Sequence, residues 1–370
     1  MDFTYTSEQD ALRDSVRRFV EREYDWEERF RIIRSDCGFA PHHWAMFAEL
    51  GWLGAGLSEE AGGFGGGAIE NALIAEELGR ALVTEPFVPH VIATQLLAAL
   101  DSEAATDLIA SLIVGETIIA PALQEAAGRG DWRHVETVAD ADRLTGVKTL
   151  VEGAARAGSF LVSARNGDGV GLYLVAASAK GVSRTDYRTL DNRRVADLIL
   201  DGAEAVLLAS GAPALTAIDH AMDHGLIALC GEALGAMDAA LWATRDYLRV
   251  RKQFGTAISN FQALQHRMAD MLIEVEMTRS LLYAALGAMA GDDAQARTAA
   301  VAAAKVQLST GGLQVGAQAI QLHGGIGVTE ELNISHFYRK LYGISRQFGD
   351  VDLHLARFAQ ARDQAPRRGG

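Results

Sequence analysis

Along the first part of the chain, apolar residues recur at helical spacing. Leu12, Val16, Phe19 and Val20 make an i, i+4, i+7, i+8 stripe, and Thr6 with Gln9 before it reads as a capping box. A second helical stretch holds Trp44, Phe47, Leu50 and Leu53. After a glycine-rich loop from Gly62 to Gly67, a third holds Ile69, Leu73, Ile74 and Leu78. Pro86 and Pro89 punctuate a further helix that the pattern carries through Leu96 to Leu112. From about Thr117 the period shortens. The runs Phe160–Ala164, Leu172–Val175 and Leu198–Leu200 lie between Gly, Asp and Asn clusters, which predicts short strands and turns. From Pro213 onward the helical period returns, with long segments over Leu215–Phe254, Phe261–Met289 and Ala294–Leu322. The expected organisation is a helical domain over 1–115, an antiparallel β barrel or sandwich over 116–210, and a helical bundle over 211–370.

Composition narrows the function classes. With 370 residues, one compact core is too small a home for the chain. Hydrophobic residues at 49% and charged residues at 22% are ordinary for a globular protein, which excludes disordered and fibrous readings. Lysine and arginine number 34 against 48 acids, a net charge of −14, which argues against nucleic acid as a partner. Cys37 and Cys230 cannot build a disulfide framework or an all-cysteine zinc site, in keeping with a cytoplasmic setting. The acidic start MDFTYTSEQD lacks the apolar core of a signal peptide. Glu232 and Asp238 interrupt the most apolar stretch, Leu226–Trp242, so no membrane span is expected. A short basic end, Arg367 to Gly370, closes the chain.

Some motifs point to chemistry that the rest of the chain does not support. The glycines at 62–67 have dinucleotide-like spacing but follow no predicted strand, so they read as a turn. No histidine has a glutamate three residues before it, which removes a carboxylate-bridged di-iron bundle. His220 and His224 share a helix face but lack the glutamate between them that a metalloprotease helix carries.

Other motifs carry a resemblance. Leu50-Gly-Trp-Leu-Gly54, Gly62-Gly-Phe-Gly65 and Ala75-Glu-Glu-Leu-Gly79 look like the first helical domain of the acyl-CoA dehydrogenase family. Arg251-Lys-Gln-Phe-Gly255, followed by Phe261-Gln262, and Gln321-Leu-His-Gly-Gly-Ile-Gly327 are similar to that family's two flavin-clasping signatures. The resemblance runs along nearly the whole chain. It implies an α+β fold with an N-terminal helical domain, a central β domain and a C-terminal four-helix-type bundle. It also implies FAD as cofactor, an acyl-CoA substrate, an electron-transfer flavoprotein as acceptor, and a dimer commonly paired into a tetramer.

The residue chemistry agrees with a flavin nucleotide site, and the resemblance implies that these residues reach across a subunit boundary to a flavin bound mainly by the neighbour. Arg251 offers a fork for a pyrophosphate, and Phe254, placed by spacing on the same helix face, can cover a ring system. Gln262 and Gln321 can donate amide N–H groups. Gly324 and Gly325 let backbone approach phosphate or adenine closely. His323 between these motifs reads as an ordinary polar residue at a helix end.

The chain departs from the family pattern where the chemistry should be. The proton-abstracting glutamate usually stands 27 residues after the first residue of the Gln-x-x-Gly-Gly motif, and here that position is Phe348. In other members it stands 26 residues before the Arg of the clasp motif, and here that position is Gly225. Neither can accept a proton. The β domain departs too. Its Lys148-Thr-Leu-Val-Glu152 segment puts Leu150 and Glu152 where the family has a Trp and a Thr beside the flavin ring. Gln124-Glu125-Ala126 stands for a Thr-Glu-Pro segment.

Residues lent to a neighbour are therefore kept, and those a subunit needs for itself are altered. This pattern resembles the small or non-catalytic subunits of bacterial heteromeric acyl-CoA dehydrogenases, with a partner chain supplying the glutamate. Two alternatives stand beside it. One is a self-sufficient homo-oligomer with a relocated base, Asp350 or Glu232, the latter two helical turns beyond Gly225. The other is a scaffold protein with a vestigial flavin site.

Overall fold

A computed structural model describes residues 4–100, 102–330 and 332–364, so the basic end at Arg367 lies outside the described residues. The chain opens with six helices: α1 (Ser7–Glu23), α2 (Trp26–Ile33), α3 (Pro41–Glu49), α4 (Ala68–Arg80), α5 (Phe87–Ala98) and α6 (Glu103–Ile113). Thr6 and Gln9 form the expected capping box, and Val16, Phe19 and Val20 are buried. Two expectations are corrected. The second helix stops at Glu49 rather than reaching Leu53, because Gly51 takes a positive φ of 77° and turns the chain. The helix expected through Leu96 to Leu112 is two helices, since the Ser102 hydroxyl accepts from the Ala105 N–H and starts α6 afresh. Helix α5 is buried from Phe87 to Leu97, the signature of a helix enclosed on all sides.

Eight strands follow: β1 (Ile119–Ala122), β2 (Val138–Asp140), β3 (Arg143–Glu152), β4 (Ser159–Asn166), β5 (Gly169–Ala176), β6 (Val182–Arg188), β7 (Arg194–Glu204) and β8 (Val206–Ser210). They form one sheet in the order β6-β7-β3-β2-β4-β5-β8, with β1 paired to β4. Most pairs are antiparallel, but β4 takes both β1 and β2 in parallel. Its residues Phe160–Ala164 are all buried, which is why β4 reads as a continuous apolar run rather than an alternation. Leu144, Tyr173, Ala196 and Leu198 complete this core.

The last part holds α7 (Ala212–Val250), a two-stranded ribbon of β9 (Lys252–Gln253) and β10 (Thr256–Ala257), then α8 (Gln262–Met289), α9 (Ala294–His323), α10 (Ile334–Arg346) and α11 (Val351–Gln364). Helix α7 bears on the expectation of no membrane span. By length and composition it is apolar enough to cross a membrane, although 83% of that window is buried. The two acids thought to break the stretch are paired: Glu232 takes the Lys340 ammonium at 2.6 Å, and Asp238 takes the Arg80 guanidinium.

Two compact units emerge from the contacts. One gathers residues up to Arg29, Ala72–Val83 and everything from Ile227 onward; the other gathers Phe30–Asn71 and Thr84–Leu226. Within the first, α4 and α7 cross with backbones touching. A Cβ on Gly235 would overlap the Glu76 carbonyl oxygen, and one on Gly79 would overlap that of Glu232. Glycine is required at this crossing for space.

Candidate functional site

Helix α7 ends at Val250, and the chain turns back at once. Gln253 pairs with Thr256, leaving Phe254 and Gly255 as a two-residue turn with φ of 53° and 83°. Two positive φ values in a two-residue hairpin are the type I′ pattern. This corrects the expectation that Arg251 and Phe254 share a helix face. Arg251 sits at the hand-over instead: its N–H still reaches the Tyr247 carbonyl at 2.9 Å, while its own carbonyl accepts from Ile258 at 2.9 Å. The turn lifts Phe254 into solvent, 91% exposed and edge-on to Phe261 at 6.0 Å. A phenyl ring in the left-handed region, stripped of cover, is unfavourable in both backbone and solvation.

Gln262 opens α8 and Gln321 lies in the last turn of α9, both exposed. Gly324 follows with φ of 67°, and among the described residues nothing beyond the immediate chain neighbours lies within 4 Å of where a Cβ on Gly324 or Gly325 would stand. The two motifs meet through Tyr247. Its ring stacks on His323 at 4.3 Å, and its hydroxyl donates to the His323 carbonyl at 3.3 Å. His323 itself is buried, which pushes its imidazole pKa down; the neutral ring donates through Nδ1 to the Ala319 carbonyl at 2.8 Å. It is a structural residue. The set presents an exposed guanidinium, an exposed phenyl ring, two exposed carboxamides and open backbone, which suits an anion joined to a ring system.

The positions where a base was sought hold no available carboxylate. Phe348 lies between α10 and α11, buried, with φ of 56°, and its carbonyl accepts from His354 Nε2 at 2.9 Å. Gly225 lies on α7 against α5, where a Cβ would overlap Ile92 Cγ1. Any larger residue there must shift the Ile92 side chain. Asp350 caps α11: its Oδ1 accepts from the Leu353 N–H at 3.2 Å, and Arg346 stands 3.5 Å from its other oxygen. Glu232 is held by Lys340, a side chain only 4% exposed.

In the β domain, Leu150 sits in a bulge between Lys148 and Val151 with φ of 56°, half exposed. Glu152 accepts from Arg193 at 3.0 Å, and Asp191 takes the same guanidinium at 2.6 Å. The sequence reading missed Arg193; the charge cluster Asp191-Asn-Arg193-Arg194 was its signal. It also missed that Glu125 and Lys148 are a buried pair, 2.6 Å apart, with Thr137 donating to Glu125 from backbone and hydroxyl. Burial alone would raise the Glu125 carboxyl, but Lys148 and Thr137 outweigh it and hold it below its ordinary value. The rings of His220 and His224 lie 4.7 Å apart, and among the described residues no third ligand joins them in a metal cluster.

Comparison with known proteins gives a consistent result. Residues 6–116 match the family model described as acyl-CoA dehydrogenase, N-terminal domain, and residues 215–361 match acyl-CoA dehydrogenase, C-terminal domain. Acyl-CoA dehydrogenase FadE27 of Mycobacterium tuberculosis is 29% identical, the alignment spanning 99% of this chain and 100% of that one. Among solved structures, a variant of the Tcur3481–Tcur3483 steroid ACAD is 31% identical with a TM-score of 0.89, over 96% of this chain and 98% of that one. The ChsE4–ChsE5 complex from Mycobacterium tuberculosis is 27% identical with a TM-score of 0.90, over 99% of this chain and 100% of that one.

Proposed function

Since the chain belongs to the acyl-CoA dehydrogenase family, we propose that it is one subunit of a heteromeric, FAD-dependent enzyme that dehydrogenates an acyl-CoA between Cα and Cβ, a partner chain of the same family supplying the catalytic glutamate. The reaction needs a carboxylate beside the Cα proton. FAD, when bound, supplies the hydride acceptor for Cβ. One observation carries the heteromeric reading: the two acids that could serve as a relocated base are already engaged, Asp350 in capping α11 and Glu232 in its ion pair with Lys340. The same pairing disfavours a homo-oligomer with a relocated base.

The residues present fit half of a flavin site. Arg251, Gln262, Gln321 and the open backbone at Gly324 and Gly325 suit the pyrophosphate and adenosine end, with Phe254 as an apolar cover. The strained exposure of Phe254 favours a ligand or neighbour over a vestigial clasp. At the ring end, Glu152 is tied to Arg193 where a hydroxyl would serve the flavin. The clasp therefore acts on FAD held chiefly by the partner. Exposed Leu272, Ile273 and Met277 on α8 give an apolar face for the subunit contact, and pairing of two such dimers makes a tetramer. The steroid ACAD among its relatives supports a bulky, ring-bearing acyl group. An electron-transfer flavoprotein serves as electron acceptor in this reading.

The test is turnover of a ring-bearing acyl-CoA by the chain alone and by the chain co-expressed with a candidate partner. Turnover in the complex alone is expected; full activity from this polypeptide by itself overturns the reading.

A further inference from the structure

Beside Gly225, on the neighbouring face of α7, His220 and His224 line a cavity of about 520 Å³. Its other walls are the loop after α3, the end of α5 and the first turns of α6, all within one compact unit. The volume lies in the range of small-molecule sites. Polarity is graded with depth. Ser58 and Glu60 at the mouth are exposed, whereas Leu57, Leu97 and Ile109 form a buried apolar wall.

Gln95 sets the chemistry. It is 93% buried, being 7% exposed, and donates one N–H to the Gly56 carbonyl at 2.9 Å. Among the described residues its carboxamide oxygen has no hydrogen-bond partner, and its second N–H has none either. Those open positions face the cavity and match a ligand group that both donates and accepts. A hydroxyl does both. A carboxylate only accepts, would leave the Gln95 oxygen unpaired, and would meet Glu60 at the mouth.

The geometry points to a binding site for a compact neutral alcohol, an apolar ring body lying on Leu97 and Ile109 with its hydroxyl seated on Gln95. The site is separate from the Gly225 position, which Ile92 of α5 fills. It involves none of the residues assigned to the flavin.

Titration of the purified full chain with 2-naphthol, followed by the probe's own fluorescence, tests this without any readout of catalysis. Saturable binding of one probe per chain is expected, about tenfold weaker in Gln95→Leu and at least as much weaker in Ser58→Trp, which blocks the mouth from an exposed loop. Binding of 2-naphthoate is expected to be weaker by a similar factor, and Arg251→Ala to leave 2-naphthol binding unchanged. Should Gln95→Leu not fold, Ser58→Trp decides. Affinity unaltered by Ser58→Trp, or naphthoate binding as tightly as naphthol, overturns the proposal.

Discussion

Tyr247 lies flat against His323, ring centroids 4.3 Å apart and planes 24° from parallel, and its hydroxyl donates to the carbonyl that leads into Gly324. One side chain thereby ties the end of α7, where Arg251 stands one turn on, to the glycine turn after α9. Tyr247→Phe keeps the stack and loses one long hydrogen bond, so a loss of about 0.5–1 kcal/mol is expected. Tyr247→Ala removes both, and about 1–2 kcal/mol of stability with it. Flavin retention by the complex should follow the same order, which dialysis and absorbance of the two variants would check.

Restoring a carboxylate at the usual base positions should not restore catalysis. Gly225→Glu must push a side chain into Ile92, and overpacking of about 1–3 kcal/mol is expected to appear as a lowered denaturation midpoint. Phe348→Glu puts a carboxyl in a buried turn of a chain whose Glu152 is tied to Arg193, and no turnover without the partner is expected. Activity from the Phe348→Glu chain alone would assign it a complete site of its own.

Glu232 is separated from a catalytic role by a double-mutant cycle with Lys340. Lys340→Met leaves the carboxylate without its partner at a nearly buried position and is expected to destabilise by about 3–5 kcal/mol. Adding Glu232→Gln should recover much of that loss, and turnover of the complex should be unchanged in the double variant. A selective fall in kcat with Glu232→Gln, with stability retained, would contradict the structural role.

Acid should weaken the fold before carboxylates titrate. Burial pushes the imidazole pKa of His354 down to about 3, and those of His90 and His336 to about 4. Each is lowered from the ordinary 6.5, so the unfolded chain binds more protons between about 4 and 6.5. Stability is therefore full above about pH 6.5 and falls as pH drops through that window. Urea midpoints at about pH 7 and about pH 5 measure it, and His354→Gln should flatten the dependence.

What could be read from sequence follows the physics of each element. Helix α1 announces itself by a cap and a stripe, and α4 by its periodic leucines and isoleucines, because local propensity and burial agree there. The hairpin at Phe254 did not, since the helical period runs on through Val250 and only the Phe254-Gly255 pair marks the turn. The parallel joins to β4 are long-range pairings that no local pattern encodes. At the site, Arg251 and the paired glycines were legible as motifs. The partners of Glu232, Asp350 and Glu152 were not, because an acid's role depends on which cation the fold delivers to it. That Gly225 is packed by Ile92 is likewise a fact of helix crossing.

Lending residues in trans to a flavin site is the central claim, and the flavin-to-protein ratio of the purified complex tests it most directly. With Arg251→Ala in this chain alone, the FAD content of the complex should fall about tenfold or more after gel filtration, while this exposed substitution shifts stability by under about 0.5 kcal/mol. A complex that keeps its full complement of FAD with Arg251→Ala in place contradicts the account.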